Sequence, residues 1–299
     1  MTIDPQDEPV CAEYIMRVYK LNLKSSKWKL LTMLKQERCG HQSTIIEDKI
    51  YLVGGNNTYF YENVICLDGL IDNKIIPISK KVTNISSTMS AMNIKRTYFG
   101  MCSFAGCIFI AGGFSNKNTS LDKCEIYSTE SCEWIPASSM NTKRSRLALI
   151  YFQNKIWAMG GTTKRIINDS IETYDLAENK WTIINVKLLK KRHGHQAVVH
   201  NKNFFVIGGL SLNETLSSVE IYSSETNQFS FVSPMSQARA FFGCSVFNNT
   251  LIVFGGQITT QPKPEVTDSV EVYDIEKQVW SIGPSLPLSL SSFGYASTY

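Results

Sequence analysis

The sequence predicts an all-β fold, a propeller of six blades, and three recurring features carry that prediction. A double glycine closes an apolar run in five places, an arginine stands at one fixed distance ahead of each pair, and a tyrosine is followed seven residues on by a bulky ring. The runs are IYLVGG, IFIAGG, IWAMGG, FFVIGG and LIVFGG, ending in Gly54-Gly55, Gly112-Gly113, Gly160-Gly161, Gly208-Gly209 and Gly255-Gly256, at spacings of 58, 48, 48 and 47 residues. Arg38, Arg96, Arg144, Arg192 and Arg239 each lie 16 residues before the first glycine of a pair. The aromatic pairs are Tyr127 with Trp134, Tyr174 with Trp181, Tyr222 with Phe229 and Tyr273 with Trp280.

Each unit then reads as four short strands. The first opens after the arginine, in RCGHQSTII, RTYFGMCSF, RHGHQAVVH or RAFFGCSVF. The second is the apolar run, as expected of an inner strand packed on both faces between neighbouring blades. A glycine pair suits its end, where the chain must turn with positive φ or lie close to other backbone. The third alternates, as in SVEIYS and SVEVYD, and the fourth carries the ring.

The repeats fall near 38–90, 91–140, 141–187, 188–235 and 236–286, with residues 1–13 as a tail and 14–299 as one propeller domain. Residues 14–30 repeat the tyrosine-to-tryptophan half of a unit (Tyr19, Trp28), and residues 290–299, LSSFGYASTY, repeat an opening strand. Placing both in one composite blade closes a ring of six and removes exposed edges, although no Gly-Gly strand stands between them. The first unit departs from the pattern: Leu67-Asp68 takes the Tyr-Asp place, no tryptophan follows, and about ten extra residues lie within 72–91.

Composition sets the outer bounds. A chain of 299 residues that is 43% hydrophobic and 19% charged can bury a core and does not read as disordered. A formal charge of +4 lacks the basic excess of a nucleic-acid binder, and no run is long and apolar enough for a membrane helix. No basic stretch followed by an apolar one opens the chain, so the expected location is cytoplasmic, with cytoskeletal association as a variant. The eight cysteines show no zinc-site spacing and most read as small buried hydrophobes; the six Asn-x-Ser/Thr sequons read as chance in an Asn-rich chain.

The set of arginine, GH or FG strand, Gly-Gly, Tyr-Asp and Trp at this period resembles the kelch repeat over residues 14–299, and in particular the C-terminal propeller of the Kelch-like (BTB-kelch) proteins. That resemblance implies a protein-binding module. In the family the propeller captures a substrate, while upstream BTB and BACK domains dimerise and hold a cullin, making a ubiquitin ligase adaptor. Neither domain is read in this sequence, so recognition is expected of it and recruitment is not. Actin binding, as in some kelch proteins, is the alternative, and a competitor that occupies substrate without recruiting a ligase is a third reading.

The resemblance also implies that Arg38, Arg96, Arg144, Arg192 and Arg239 face the pocket mouth, where a planar guanidinium fork would take an acidic or phosphorylated peptide segment. Their scaffolding alternative is hydrogen bonding to backbone carbonyls of neighbouring loops. Leu290 breaks the ring at the sixth place. The loops after each Gly-Gly differ from blade to blade, and variable loops on a rigid scaffold are where specificity resides. They hold Tyr59, Phe60 and Tyr61, then Phe114, Lys164 and Arg165, Leu212, and Pro262 and Pro264. The aromatic triplet is either an interface anchor or packing for its own blade. His193 and His195 coincide with repeat landmarks and have no third metal ligand in view; no GxSxG, GxxxxGK[ST] or HExxH occurs. No enzyme, cofactor or metal is therefore expected.

Overall fold

A computed structural model describes residues 17–22, 25–33, 38–56, 60–67, 89–115, 119–212, 214–259 and 264–296. All regular structure in them is β. The ribbon β1 (Arg17–Asn22) and β2 (Lys27–Met33) comes first, then blade 1 with β3 (Gln42–Ile46), β4 (Lys49–Val53) and β5 (Val64–Leu67). Blade 2 holds β6 (Gly100–Phe104), β7 (Cys107–Ala111), β8 (Cys124–Ser128) and β9 (Glu133–Ala137). In blade 3, β10 (Ala148–Phe152) and β11 (Lys155–Met159) lead through a small hairpin, β12 (Thr162–Thr163) and β13 (Ile166–Ile167), to β14 (Ser170–Asp175) and β15 (Lys180–Lys187). Blade 4 comprises β16 (Gln196–His200), β17 (Asn203–Ile207), β18 (Val219–Ser223) and β19 (Gln228–Val232). Blade 5 has β20 (Gly243–Phe247) and β21 (Thr250–Phe254), a second hairpin, β22 (Gln257–Thr259) and β23 (Pro264–Val266), then β24 (Val270–Asp274) and β25 (Val279–Ile282). Within each blade the strands pair antiparallel in chain order.

The core lies between blades. Val53, Val64 and Cys66 of blade 1 meet Ile108, Ile110 and Tyr127 of blade 2, and the same arrangement recurs at the next three seams. This is why the second strands are apolar throughout: both of their faces are covered. Each fourth-strand tryptophan of blades 2, 3 and 5 ties its blade to the preceding linker, Trp134, Trp181 and Trp280 donating from Nε1 to the carbonyls of Ser90, Ser138 and Ser233.

The structure has five blades, not the six expected. In the sixth sector stand the β1–β2 ribbon and the segment 290–296, which forms no ladder. Val18 and Leu31 pack on Leu52, Ile65 and Leu67 of blade 1, while Trp28 packs beside Ile252 and Leu286 and donates to Pro284 O at 3.0 Å. Trp28 pairs with Leu21, so Leu21 and not Tyr19 holds the tyrosine place: Tyr19 lies nine residues before Trp28, against seven in the other units, and pairs with Leu30. Among the described residues no Gly-Gly strand stands between β1 and 290–296, so no ladder joins them there. Residues 1–16 and 68–88 lie outside the described residues, and with them the tail and nearly all of the extra length of the first unit.

The hub is closed by backbone. Gly40 N–H donates to Ser292 O, Ser292 to Phe241, Phe241 to Gly194, Gly194 to Arg146, Arg146 to Tyr98 and Tyr98 to Gly40, all at 2.7–2.9 Å. All six residues have φ between +51° and +61°, a conformation that costs a non-glycine residue about 1 kcal/mol or more, and here it lets each residue give and receive within the ring.

Candidate functional site

The residue that opens each unit builds an internal bracket. All five guanidiniums are 0–1% exposed, so none of them rings the pocket mouth. Arg144 shows the pattern: it donates to Gly160 O at 3.0 Å, to Ser170 O at 2.8 Å and to Glu172 Oε1 at 2.9 Å. Arg96 pairs with Glu125 at 2.6 Å, Arg239 with Glu271 at 2.7 Å, and Arg192 with Glu220. Each carboxylate also receives two backbone N–H groups of the loop leading into its arginine, for example Asn141 and Thr142 at Glu172. Arg38 differs, because Ile65 stands opposite Leu52 where the other blades have glutamate. It donates to Gly54 O at 2.9 Å and to Asn63 Oδ1 at 3.1 Å, and burial pulls its pKa down to about 10 against the raising influence of Tyr61.

The arginine backbone makes the second tie. Gly113 N–H donates to Arg144 O at 2.8 Å, and a Cβ on Gly112, at φ +67°, would come within 2.3 Å of that same oxygen. Gly256 N–H likewise donates to Leu290 O at 2.7 Å, so Leu290 keeps the backbone role of an arginine without its bracket. The expectation that these arginines recognise an acidic partner is corrected by this burial; their chemistry is spent on carbonyls and carboxylates inside each blade.

Sequence reading missed those carboxylates, although the signal was present. A glutamate stands two residues before each blade tyrosine, Glu125, Glu172, Glu220 and Glu271 before Tyr127, Tyr174, Tyr222 and Tyr273.

Two residues past each arginine sits the hub ring, and there side chains differ. Tyr98 and Phe241, on opposite sides of the ring, meet at 5.8 Å between centroids in a T-shaped contact. The Arg146 guanidinium lies 5.7 Å from the Tyr98 ring, 5.8 Å from Phe241 and 5.5 Å from Phe114. Gly194 leaves room for this, since a Cβ there would come within 2.7 Å of the Phe241 ring. The three side chains thus stopper a central channel of about 680 Å³ whose walls are the first strands and whose other end reaches Glu47 and Asp48.

Around the stopper lies the loop face. Lys95, Lys143 and Lys191 immediately precede three of the buried arginines, and all three are exposed. Lys164 and Arg165 are exposed at the tip of the β12–β13 hairpin, which Thr163 fastens to Lys143 by donating to its carbonyl. On this face Lys190 is engaged by Glu214 at 3.2 Å. Of the aromatic triplet, Tyr61 lies with its ring 4.9 Å from the Arg38 guanidinium and donates its N–H to Gly55 O, serving its own blade. Phe60 is half-buried and bridges to Asn56; Tyr59, like Pro262, lies outside the described residues.

His193 and His195 are buried, and no cluster of three metal-ligating side chains occurs among the described residues. Burial and neighbouring arginine charge hold both imidazoles well below the ordinary histidine range. Cys66, Cys124 and Cys244 are buried, Cys102 and Cys107 partly so, and Cys132 is exposed; burial pushes the Cys124 thiol up to about 12.

Repeated brackets under non-repeated loops define a class of protein, the β-propeller interaction scaffold. Residues 69–256 match the KLHDC2/KLHL20/DRC7 Kelch-repeats domain and residues 238–287 the Kelch motif, and the chain belongs to the kelch-repeat family. It is 29% identical over 188 residues to Kelch-like protein 15 of Danio rerio, covering 57% of this chain and 31% of that protein. Kelch-like protein 36 of Mus musculus is 24% identical over 261 residues, covering 68% and 42%, and Kelch-like protein 23 of Homo sapiens 23% identical over 259 residues, covering 86% and 43%. The chain thus spans well under half the length of these relatives. A solved structure titled "Structure of YjhT" superposes with a TM-score of 0.71 at 12% identity, covering 88% of each chain, which shows the fold. The chain is a kelch protein-protein interaction module of the kind found in Kelch-like proteins.

Proposed function

We propose that this chain is a cytoplasmic recognition module that captures an acidic or phosphorylated segment of another protein on its loop face, as the substrate-binding part of a cullin-RING ubiquitin ligase adaptor. The observation that carries the proposal is the exposed cation set Lys95, Lys143, Lys164, Arg165 and Lys191, held around a stoppered hub by brackets that leave the arginines themselves unavailable. Lysines at one repeat position in three successive blades lie on an arc, and an arc of like charge on one face attracts an extended anionic chain. The matches to Kelch-like proteins support the ligase context.

The test is titration of the full chain with fluorescent 15-residue peptides that are glutamate-rich, phosphoserine-containing or neutral, at low and physiological salt, with sedimentation on filamentous actin alongside. The proposal expects the anionic peptides to bind at least tenfold tighter than the neutral one and to weaken as salt rises. Equal affinity for all three peptides, or micromolar cosedimentation with actin that the peptides do not compete, overturns it.

A further inference from the structure

Two-residue hairpin loops with both residues at positive φ occur three times among the described residues, and in two of them the residues suit the turn. Ala105-Gly106 and Gln153-Asn154 end in glycine or asparagine, which tolerate that conformation. The β12–β13 hairpin of blade 3 instead pairs Thr163 with Ile166 and turns through Lys164 and Arg165, at φ +47° and +68°. Asn-Gly is the pair such a turn favours, so the turn itself gives no reason for either cation. Two linkers fastened to the hairpin carry further cations. Thr163 Oγ1 donates to Lys143 O on one side, and on the other Arg192 N–H, directly after Lys191, donates to Asn168 O at 3.4 Å. Lys143, Lys164, Arg165 and Lys191, all exposed, thus stand on three joined pieces of backbone in one sector. The acids beside them are engaged: Glu214 pairs with Lys190 at 3.2 Å, and the half-buried Asp169 acts on the buried Arg144. Aliphatic side chains on the same loops face solvent, Ile166 at 56% and Leu189 at 46% exposure.

From this we infer that the blade 3 hairpin is the anchor for a phosphoryl group on the partner segment, with an aliphatic side chain of that segment seated beside it on Ile166 and Leu189. The inference deepens the reading of the loop face as an anion-binding surface and rests on it. A phosphorylated serine or threonine brings about −1.5 to −2 charge and three acceptor oxygens to one point, whereas a carboxylate brings one charge and two oxygens. The Arg165 guanidinium can take two of those oxygens with its planar fork, Lys164 beside it supplies a point charge, and Lys143 and Lys191 flank the pair. The turn is held by its ladder, by the bond to Lys143 O and by Asn168 Nδ2 donating to Thr163 Oγ1 at 3.1 Å, so its tip reaches the ligand already ordered. Residues kept in a costly backbone conformation where better turn formers exist are the pattern of a site in which stability has been yielded to binding. Lys95 stands one blade away, before Arg96, and adds attraction without touching the anchor.

The experiment titrates the full chain with a fluorescent 15-residue glycine-serine peptide bearing one phosphoserine and a leucine two residues on. Three control peptides lack the phosphate, carry glutamate in its place, or carry alanine in place of the leucine. The double variant Lys164→Asn, Arg165→Gly gives the turn the residues it favours, so it should melt no lower than wild-type and yet bind the phosphopeptide at least tenfold more weakly. Lys95→Ala should stay within threefold of wild-type, and the glutamate and alanine peptides should each bind the wild-type chain at least threefold more weakly than the phosphopeptide. The inference is overturned if the double variant binds the phosphopeptide as wild-type does, if it melts lower, or if Lys95→Ala loses as much affinity. It is also overturned if any control peptide binds as tightly as the phosphopeptide. Should the unphosphorylated control do so, the glutamate-rich peptide of the preceding test decides whether the loop-face reading falls as well: its preference over a neutral peptide would leave that reading standing.

Discussion

Replacing Arg144 by methionine keeps much of the side-chain length and removes the bracket of blade 3. Arg144 and Glu172 are both 0% exposed as side chains and lie 2.9 Å apart, and the variant leaves Glu172 with only the N–H groups of Asn141 and Thr142 and the Asn141 amide. Stranding one member of a buried pair costs about 3–5 kcal/mol. At roughly 2–4 °C per kcal/mol for a domain somewhat smaller than this one, the melting temperature should fall by about 6–20 °C. Arg38→Met provides the internal control, since Arg38 has Ile65 where the other blades place their glutamate; it should cost less than half as much. Urea unfolding of the three proteins, with unchanged m, measures both differences. A loss below about 1 kcal/mol at Arg144, or an equal loss at Arg38, would refute the bracket as the source of stability.

Three further outcomes follow from the same geometry. Gly112→Ala places a Cβ 2.3 Å from Arg144 O at φ +67° and should destabilise by about 2 kcal/mol or more in thermal unfolding, whereas Gly106→Ala, whose Cβ meets nothing closer than 3.4 Å, should pay only its positive φ. Burial and the Arg38 charge pull His41 down to about 3, and His193 and His195 also lie well below the ordinary range, so the folded state holds all three neutral. Their stabilisation is complete above the unfolded value near 6.5 and declines as pH falls toward the folded values, by about 2 kcal/mol for His41 between pH 6.5 and 5. His41→Asn should remove about that much of the loss in urea titrations at each pH. Trp28→Phe deletes the bond to Pro284 O and should cost about 1 kcal/mol, with faster exchange confined to the ribbon and residues 284–294.

Much of the architecture was legible because the features that build a blade are local and repeat. Gly-Gly must turn at positive φ beside the next blade's backbone, and the blade tyrosine faces its ring across one strand pair, as Tyr174 faces Trp181. What escaped reading depends on partners distant in sequence. An arginine is ordinarily exposed, and the glutamates that Arg144, Arg192 and Arg239 pair with inside the blade lie 28 to 32 residues on. The hub ring gave no sequence signal, because Gly40, Tyr98, Arg146, Gly194, Phe241 and Ser292 share a backbone conformation and no chemistry. Leu21 as the partner of Trp28 was legible in the seven-residue spacing but lacked the aromatic ring that marks the place in the other units.

The central claim divides labour between buried arginines and exposed lysines, and the affinity of the folded chain for one anionic peptide tests it most directly. Titrating the glutamate-rich peptide into wild-type, Arg96→Lys and the triple variant Lys95→Glu, Lys143→Glu, Lys191→Glu, below the melting temperature of each, gives the comparison. The account predicts that Arg96→Lys, although less stable, binds as wild-type does, while the triple variant keeps its melting temperature and loses at least tenfold in affinity. Full affinity in the triple variant together with a tenfold loss in Arg96→Lys would contradict it.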